Sequence, residues 1–122
     1  MPIVDIRYVA SESAKSQAPS AQQLADALGR AVGSPPGKTW VRLHPHAGAL
    51  YAENEVLLEE AEYPVFVTVL LARLSSAGAK AAQVRAITAA VATYFGRPEE
   101  RVHVEYAPAA AGRLAFGGKL VE

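Results

Sequence analysis

The sequence predicts an α/β (α+β) fold of two fused β-α-β units, a four-stranded sheet with both helices on one face. Three observations carry this. Each half opens on a strand-like run, at Pro2 to Val9 and at Pro64 to Leu71. Each continues into a helix-periodic segment that ends at a glycine, Gly33 and then Gly96. The same order of elements recurs after 61 to 63 residues, so that Pro64 answers Pro2, Gly96 answers Gly33, Pro98 answers Pro36, and Val102-His103-Val104 answers Val41-Arg42-Leu43. A fixed offset of this kind is the mark of an internal duplication. The chain of 122 residues is the length of one domain, 1–122, with repeats at about 2–62 and 64–122.

Taken in order, Val4, Ile6 and Tyr8 alternate with Asp5 and Arg7, the period of a half-buried strand. A polar loop follows from Ser11 to Pro19. Ser20 is placed to cap a helix whose apolar positions Leu24, Leu28, Ala31 and Val32 share one stripe, and Gly33 ends it ahead of Pro35 and Pro36. Thr39 to Leu43 reads as a second strand, stopped by Pro45. From His46 to Glu62 a hairpin or linker with a short helical tendency is expected, the acidic run Glu53, Glu55, Glu59, Glu60 and Glu62 being the polar face of a short helix. The second half gives a strand at Pro64 to Leu71, a Ser/Gly turn, and a helix from about Ala79 with Val84, Ile87, Val91 and Tyr94 in phase. Arg101 to Tyr106 is the fourth strand. Each parallel pair needs a covering crossover, which places both helices on one side of the sheet. The opposite face is expected to be apolar in the second half and hidden by association of subunits.

Composition narrows the function. Twelve basic residues balance twelve acidic ones, so no net field favours nucleic acid or an anionic membrane as partner. The chain has no cysteine, which excludes disulfides and thiolate chemistry and suits the cytoplasm. The longest apolar run, near Val65 to Ala72, is far too short to span a bilayer. A small molecule or another protein is the partner that remains.

The opening Met1-Pro2-Ile3-Val4, the doubled unit, Ser34-Pro35-Pro36 ahead of a strand, and Arg97-Pro98-Glu99-Glu100-Arg101-Val102-His103-Val104 followed by a Gly/Ala-rich tail with Phe116-Gly117-Gly118 resemble the tautomerase superfamily. That group includes 4-oxalocrotonate tautomerase, 5-carboxymethyl-2-hydroxymuconate isomerase and macrophage migration inhibitory factor. The resemblance spans nearly the whole chain. Tyr63-Pro64-Val65-Phe66-Val67 and Arg73 look most like the hydroxymuconate isomerase branch. Members of this length resemble two fused short tautomerase chains and form homotrimers.

The resemblance implies a cofactor-free keto-enol isomerase in which the Pro2 amine, freed by removal of Met1, is the general base acting on a small 2-hydroxydienoate or 2-oxo acid. An amine in an apolar pocket has its charged form disfavoured, so its pKa falls toward neutrality and it becomes a usable base. With Met1 retained the nitrogen is an amide and has no basicity. A dienolate and its carboxylate call for cations, and Arg42 and Arg73 are the catalytic candidates. His103, Tyr106, Leu114 and Phe116 are the candidates for substrate binding. Two other readings stand beside this one. The first is hydration or dehalogenation of an unsaturated acid, with Glu105 or His103 activating water. The second is a trimeric binding module whose site is vestigial.

Gly37-Lys38-Thr39 matches the end of a phosphate loop, but the first glycine of that motif falls at Val32, and nucleotide binding is rejected. His44 and His46 could share one strand face, yet no third ligand has a recognisable spacing, so no metal site is assigned.

Overall fold

The computed structural model describes residues 2–11 and 19–122. The polar loop expected from Ser11 to Pro19 falls largely outside them. The elements are β1 (Ile3–Ala10), α1 (Ala21–Val32), β2 (Trp40–Ala47), β3 (Val65–Leu70), α2 (Ala77–Phe95), β4 (Val102–Tyr106) and a terminal hairpin of β5 (Ala115–Phe116) and β6 (Lys119–Leu120). The main sheet runs β2-β1-β3-β4, with β1·β2 and β3·β4 parallel and the central pair β1·β3 antiparallel. The predicted pair of β-α-β units is therefore joined back to back through their first strands.

Local chemistry sets the helix ends. The Ser20 hydroxyl accepts from the Gln23 N–H, and Gly33 takes the left-handed conformation at φ 67° that closes α1. In α2, Ser76 caps in the same way and Gly96 closes at φ 63°, so the helix begins two residues before the expected Ala79. Leu24 and Leu28 of α1 and Ile87 and Val91 of α2 pack with Val4, Ile6, Val65, Val67 and Val69 in one cluster. Both helices thus lie on one sheet face, and each side chain fully buried there contributes about 1.5–3 kcal/mol.

The two halves share one register. Asp5 lies opposite Arg42 and Thr68 opposite Glu105, each pair 37 residues apart in sequence. Side-chain alternation corrects one detail of the repeat. Val4 and Val41 face the helices, as do Val65 and Val102, which matches Pro64 with Ile3 rather than with Pro2.

Three other expectations change. Pro45 does not stop β2, which continues to Ala47; β2 is an edge strand, where a missing N–H is tolerated on the unpaired side. The stretch 48–62 is not a helix with an acidic face. It holds two short 3₁₀ turns, Gly48–Leu50 and Glu60–Glu62, and a tight Glu53/Val56 bridge, while Glu59 and Glu62 cap each other's backbone and Glu53 pairs with Arg101. The sheet face away from the helices is mixed rather than apolar. The β3 valines all turn toward the helices, leaving Asp5, Arg42, His44, Thr68, His103 and Glu105 there beside Phe66, which Tyr51 from the 48–62 segment partly covers.

After β4 the chain runs along the end of β3. Ala107, Ala110 and Ala111 donate to the carbonyls of Val69, Leu71 and Ala72. It then turns through Gly117 and Gly118, both at positive φ, the geometry a two-residue hairpin demands. Phe116 meets Trp40 edge-on at 5.1 Å, so the tail crosses from the β4 side of the sheet to β2 at the end where Pro2 sits.

Candidate active site

Pro2 is buried at the head of β1, and its carbonyl accepts from the Trp40 N–H at 3.0 Å. It lines a cleft of about 310 Å³ together with Val32 at the end of α1, Gly33, Ser34 and Pro35 after it, Lys38 before β2, Leu71 after β3 and Gln83 of α2. This is the low end of the size range for small-molecule sites. The cleft opens on the helix side of the sheet.

The wall carrying Lys38 is a tight turn. Pro36 and Gly37 occupy its centre, Gly37 has φ 77°, and the Lys38 N–H donates to the Pro35 carbonyl at 3.2 Å, the signature of a type II turn. The Trp40 indole N–H holds the turn from outside through the Gly37 carbonyl at 3.0 Å. On the opposite wall the Tyr106 hydroxyl donates to Oε1 of Gln83, and Lys80 lies 5.6 Å from the centre of the Tyr106 ring. Burial pushes the Tyr106 phenol above its ordinary pKa, which keeps its proton in place as that donor.

Of the residues singled out from the sequence, Pro2 lines this cleft and Tyr106 supports it through Gln83. Phe116 comes close through Trp40. Leu114 sits in the crossing tail, its backbone tied to Ala110 and Val121. Arg73 is exposed, three residues past the Leu70 that pairs with Ile3, and makes no hydrogen bond or ion pair among the described residues.

Arg42 and His103 are elsewhere. Arg42 lies on the face opposite the helices and forks onto Asp5 through Nε at 2.7 Å and a terminal nitrogen at 2.8 Å. This bidentate pair holds the Asp5 carboxyl below its usual range against the opposing effect of burial, with His44 Nε2 also 3.1 Å away. His103 meets Phe66 at 5.3 Å with the two rings tilted, at the level of Arg7 and so five residues of strand from Pro2, or about 16 Å. Within one chain neither reaches the cleft.

Sequence reasoning missed Lys38 and Gln83. In the sequence Lys38 stands out only through the incomplete phosphate-loop match at Gly37-Lys38-Thr39. Gln83, with Lys80 one turn before it, continues the Ile87–Val91 stripe of α2 toward the Pro2 end as polar residues, and that switch along one helix face was the available signal.

A larger groove of about 620 Å³ runs between α1 and residues 34–41, lined by Asp26, Arg30 and Thr39 among others. Size does not make it the reactive site: the Thr39 hydroxyl in it is buried and has no hydrogen-bond partner, no general base among the described residues contacts that hydroxyl, and Asp26 is already engaged by Gln22 at 2.9 Å. No helix among the described residues is long and apolar enough to cross a membrane.

No family model and no curated protein matches the sequence. Solved structures match its fold. The protein Pt0534 inactivated by 2-oxo-3-pentynoate aligns with a TM-score of 0.76 and 19% identity over 98% of this chain and 94% of that one. A fused 4-OT, solved as an asymmetric trimer, aligns at 0.76 and 15% identity, covering 97% of this chain and 94% of its own. A macrophage migration inhibitory factor homologue from Prochlorococcus marinus aligns at 0.70 and 14%, covering 98% and 99%. At these identities the likeness carries architecture alone, and in architecture the chain has the β-α-β tautomerase fold of the fused 4-OT and macrophage migration inhibitory factor structures.

Proposed function

We propose that this protein is a cofactor-independent keto-enol isomerase of small 2-oxo acids, with the Pro2 amine as general base once Met1 is removed. The observation that carries the reading is the placement of Pro2: buried at the head of a central strand, yet lining a cleft small enough for such a substrate. Burial among Val32, Pro35 and Leu71 disfavours the ammonium form, and the rigid ring fixes the direction of the lone pair. The amine takes a proton from the enol hydroxyl or from the carbon beside the ketone, and returns it to the other end of the conjugated system. No net oxidation and no water are involved. Positive side chains oppose the charge that builds on oxygen in the dienolate. Arg73, unpaired near the Pro2 end, is available for this role, whereas Arg42 would have to be released from Asp5 or serve a neighbouring subunit. The fused 4-OT structures are trimers, and a homotrimer is the assembly this reading carries over to the chain.

The test follows ketonisation of enol-phenylpyruvate and of 2-hydroxymuconate by protein whose intact mass shows loss of Met1, against Pro2→Ala. Turnover that falls by at least about a hundredfold in the variant supports the amine as base. Turnover that survives the substitution refutes it and leaves a binding module as the better account. Formation of a hydrated product from an unsaturated acid would shift the assignment to hydration.

A further inference from the structure

We propose that the side-chain amide of Gln83 is a catalytic group of the Pro2 cleft, donating an N–H to the substrate oxygen on which enolate charge builds, and that Tyr106 is the positioning residue that holds the amide in that orientation. The inference rests on the Pro2 reading and deepens it.

Three observations converge. Gln83 lines the cleft with Pro2, and it is the uncharged donor left there, because the Ser34 hydroxyl is spent on the Pro35 carbonyl at 3.3 Å. Its place follows from α2: Gln83 stands one turn before Ile87 and continues the stripe that Ile87 buries against the sheet, past the core and toward the strand ends. The third observation is the hydroxyl of Tyr106, which donates to Oε1 of Gln83. Tyr106 pairs with Val69, and Val69 with Val4, so the tyrosine stands on the helix side of the sheet at a level two residues from Pro2. Packing against the core fixes its ring, and Lys80 lies 5.6 Å from the ring centre.

The chemistry selects one orientation of the amide. A phenol that keeps its proton needs an acceptor, and Oε1 is the acceptor Tyr106 has. Turning the amide over would leave that proton without an acceptor among the described residues and would put a carbonyl in the cleft, where it repels a developing enolate. As placed, the NH₂ is the part of the amide that remains to donate into a space walled by Val32, Pro35 and Leu71. A hydrogen bond aimed at a forming oxyanion is worth more in such surroundings than in water. The donor also carries no charge. It stabilises the enolate while leaving the basicity of Pro2 to burial.

Two readouts test this on protein lacking Met1, comparing wild type with Q83M, Q83E, Y106F, the Q83M/Y106F double variant and Pro2→Ala, each checked by far-UV circular dichroism. The first is calorimetric binding of phenyllactate, which carries an oxygen on the carbon beside its carboxylate, and of phenylpropanoate, which lacks it. Q83M should lose roughly fivefold on phenyllactate and bind phenylpropanoate as wild type does. The second is ketonisation of enol-phenylpyruvate. Q83M should lower kcat about tenfold to a hundredfold with a smaller effect on KM, Y106F should lower it less, and the double variant should match Q83M, since the tyrosine acts through the amide. The acid limb of the pH profile should stay in place in Q83M and move to higher pH in Q83E, whose carboxylate favours the protonated amine. If Q83M weakens both ligands equally or leaves kcat unchanged, Gln83 is not the donor. An acid limb unmoved in Q83E puts the side chain out of reach of Pro2 and overturns the assignment as well. If the losses in Q83M and Y106F simply add, Tyr106 does not act through the amide. Activity retained in Pro2→Ala refutes the base, while the comparison of the two ligands needs no turnover and still decides Gln83, so the two failures are distinguishable.

Discussion

Truncating Phe116 to alanine tests whether the C-terminal tail is part of the Pro2 site or a loose appendage. Phe116 packs edge-on against Trp40 with ring centroids 5.1 Å apart and an interplanar angle of 80°, the arrangement the two ring quadrupoles favour. Phe→Ala in a closed core costs about 3–5 kcal/mol. Here the partner is 51% exposed, so roughly half of that applies, about 2 kcal/mol including the ring pairing. The assay is guanidinium unfolding followed by far-UV circular dichroism, with a double-mutant cycle against Trp40→Leu. A coupling of about 1 kcal/mol is expected between the two rings. Trp40 is also the sole tryptophan of the chain, so its fluorescence reports on this end of the sheet alone and should shift to the red in Phe116→Ala. Because Trp40 holds the Pro2 carbonyl and braces the Lys38 turn, kcat/KM should fall with it. A loss of stability under about 0.5 kcal/mol with unchanged tryptophan emission would refute the packing argument.

Three further outcomes follow from the fold. Leu28→Ala, at a fully buried position between α1 and the sheet, should cost about 2–5 kcal/mol in urea denaturation, and a loss below 1 kcal/mol would mean the helix is not seated as described. Gly96→Ala forces a Cβ into the left-handed closure of α2 at φ 63° and should cost about 1 kcal/mol by the same measurement, with nothing nearby to clash. Asp5→Asn tests linkage: Arg42 keeps the native carboxyl below its unfolded value, so the ionised form stabilises above about pH 4 and that contribution fades as the pH drops through the lowered native value. Wild type and variant should therefore differ most near neutrality, by no more than about 1 kcal/mol given the exposed Arg42, and converge in acid; a gap that widens in acid would contradict the pairing.

Much of the fold was legible because local rules and global architecture agree. Alternation marked β1, Ser20 and Gly33 bounded α1, Gly96 bounded α2, and the equal spacing of the two halves gave the doubled unit. The departures arise where position in the sheet overrides local signal. Pro45 reads as a stop, but on an edge strand it costs no ladder hydrogen bond. The glutamates of 53–62 look helical by composition, yet Glu53 is taken by Arg101 and Tyr51, contacts far apart in sequence that no window reveals. The site divides along the same line. Pro2 was visible from the start of the chain, whereas the engagement of Arg42 by Asp5 depends on the register of a parallel pair. The shared cleft of Lys38 and Gln83 depends on how the end of α1 and the first turns of α2 meet over β1.

The central claim is that the Pro2 nitrogen is a neutral amine at working pH, and titration of ¹⁵N-proline-labelled protein by NMR reads this directly. A Pro2 resonance that titrates below about 7, under the ordinary range for a terminal amine, is expected, with activity declining in acid along the same curve. A Pro2 signal that does not titrate, as an amide with Met1 attached would not, or one that titrates at about 8 or above, would contradict it.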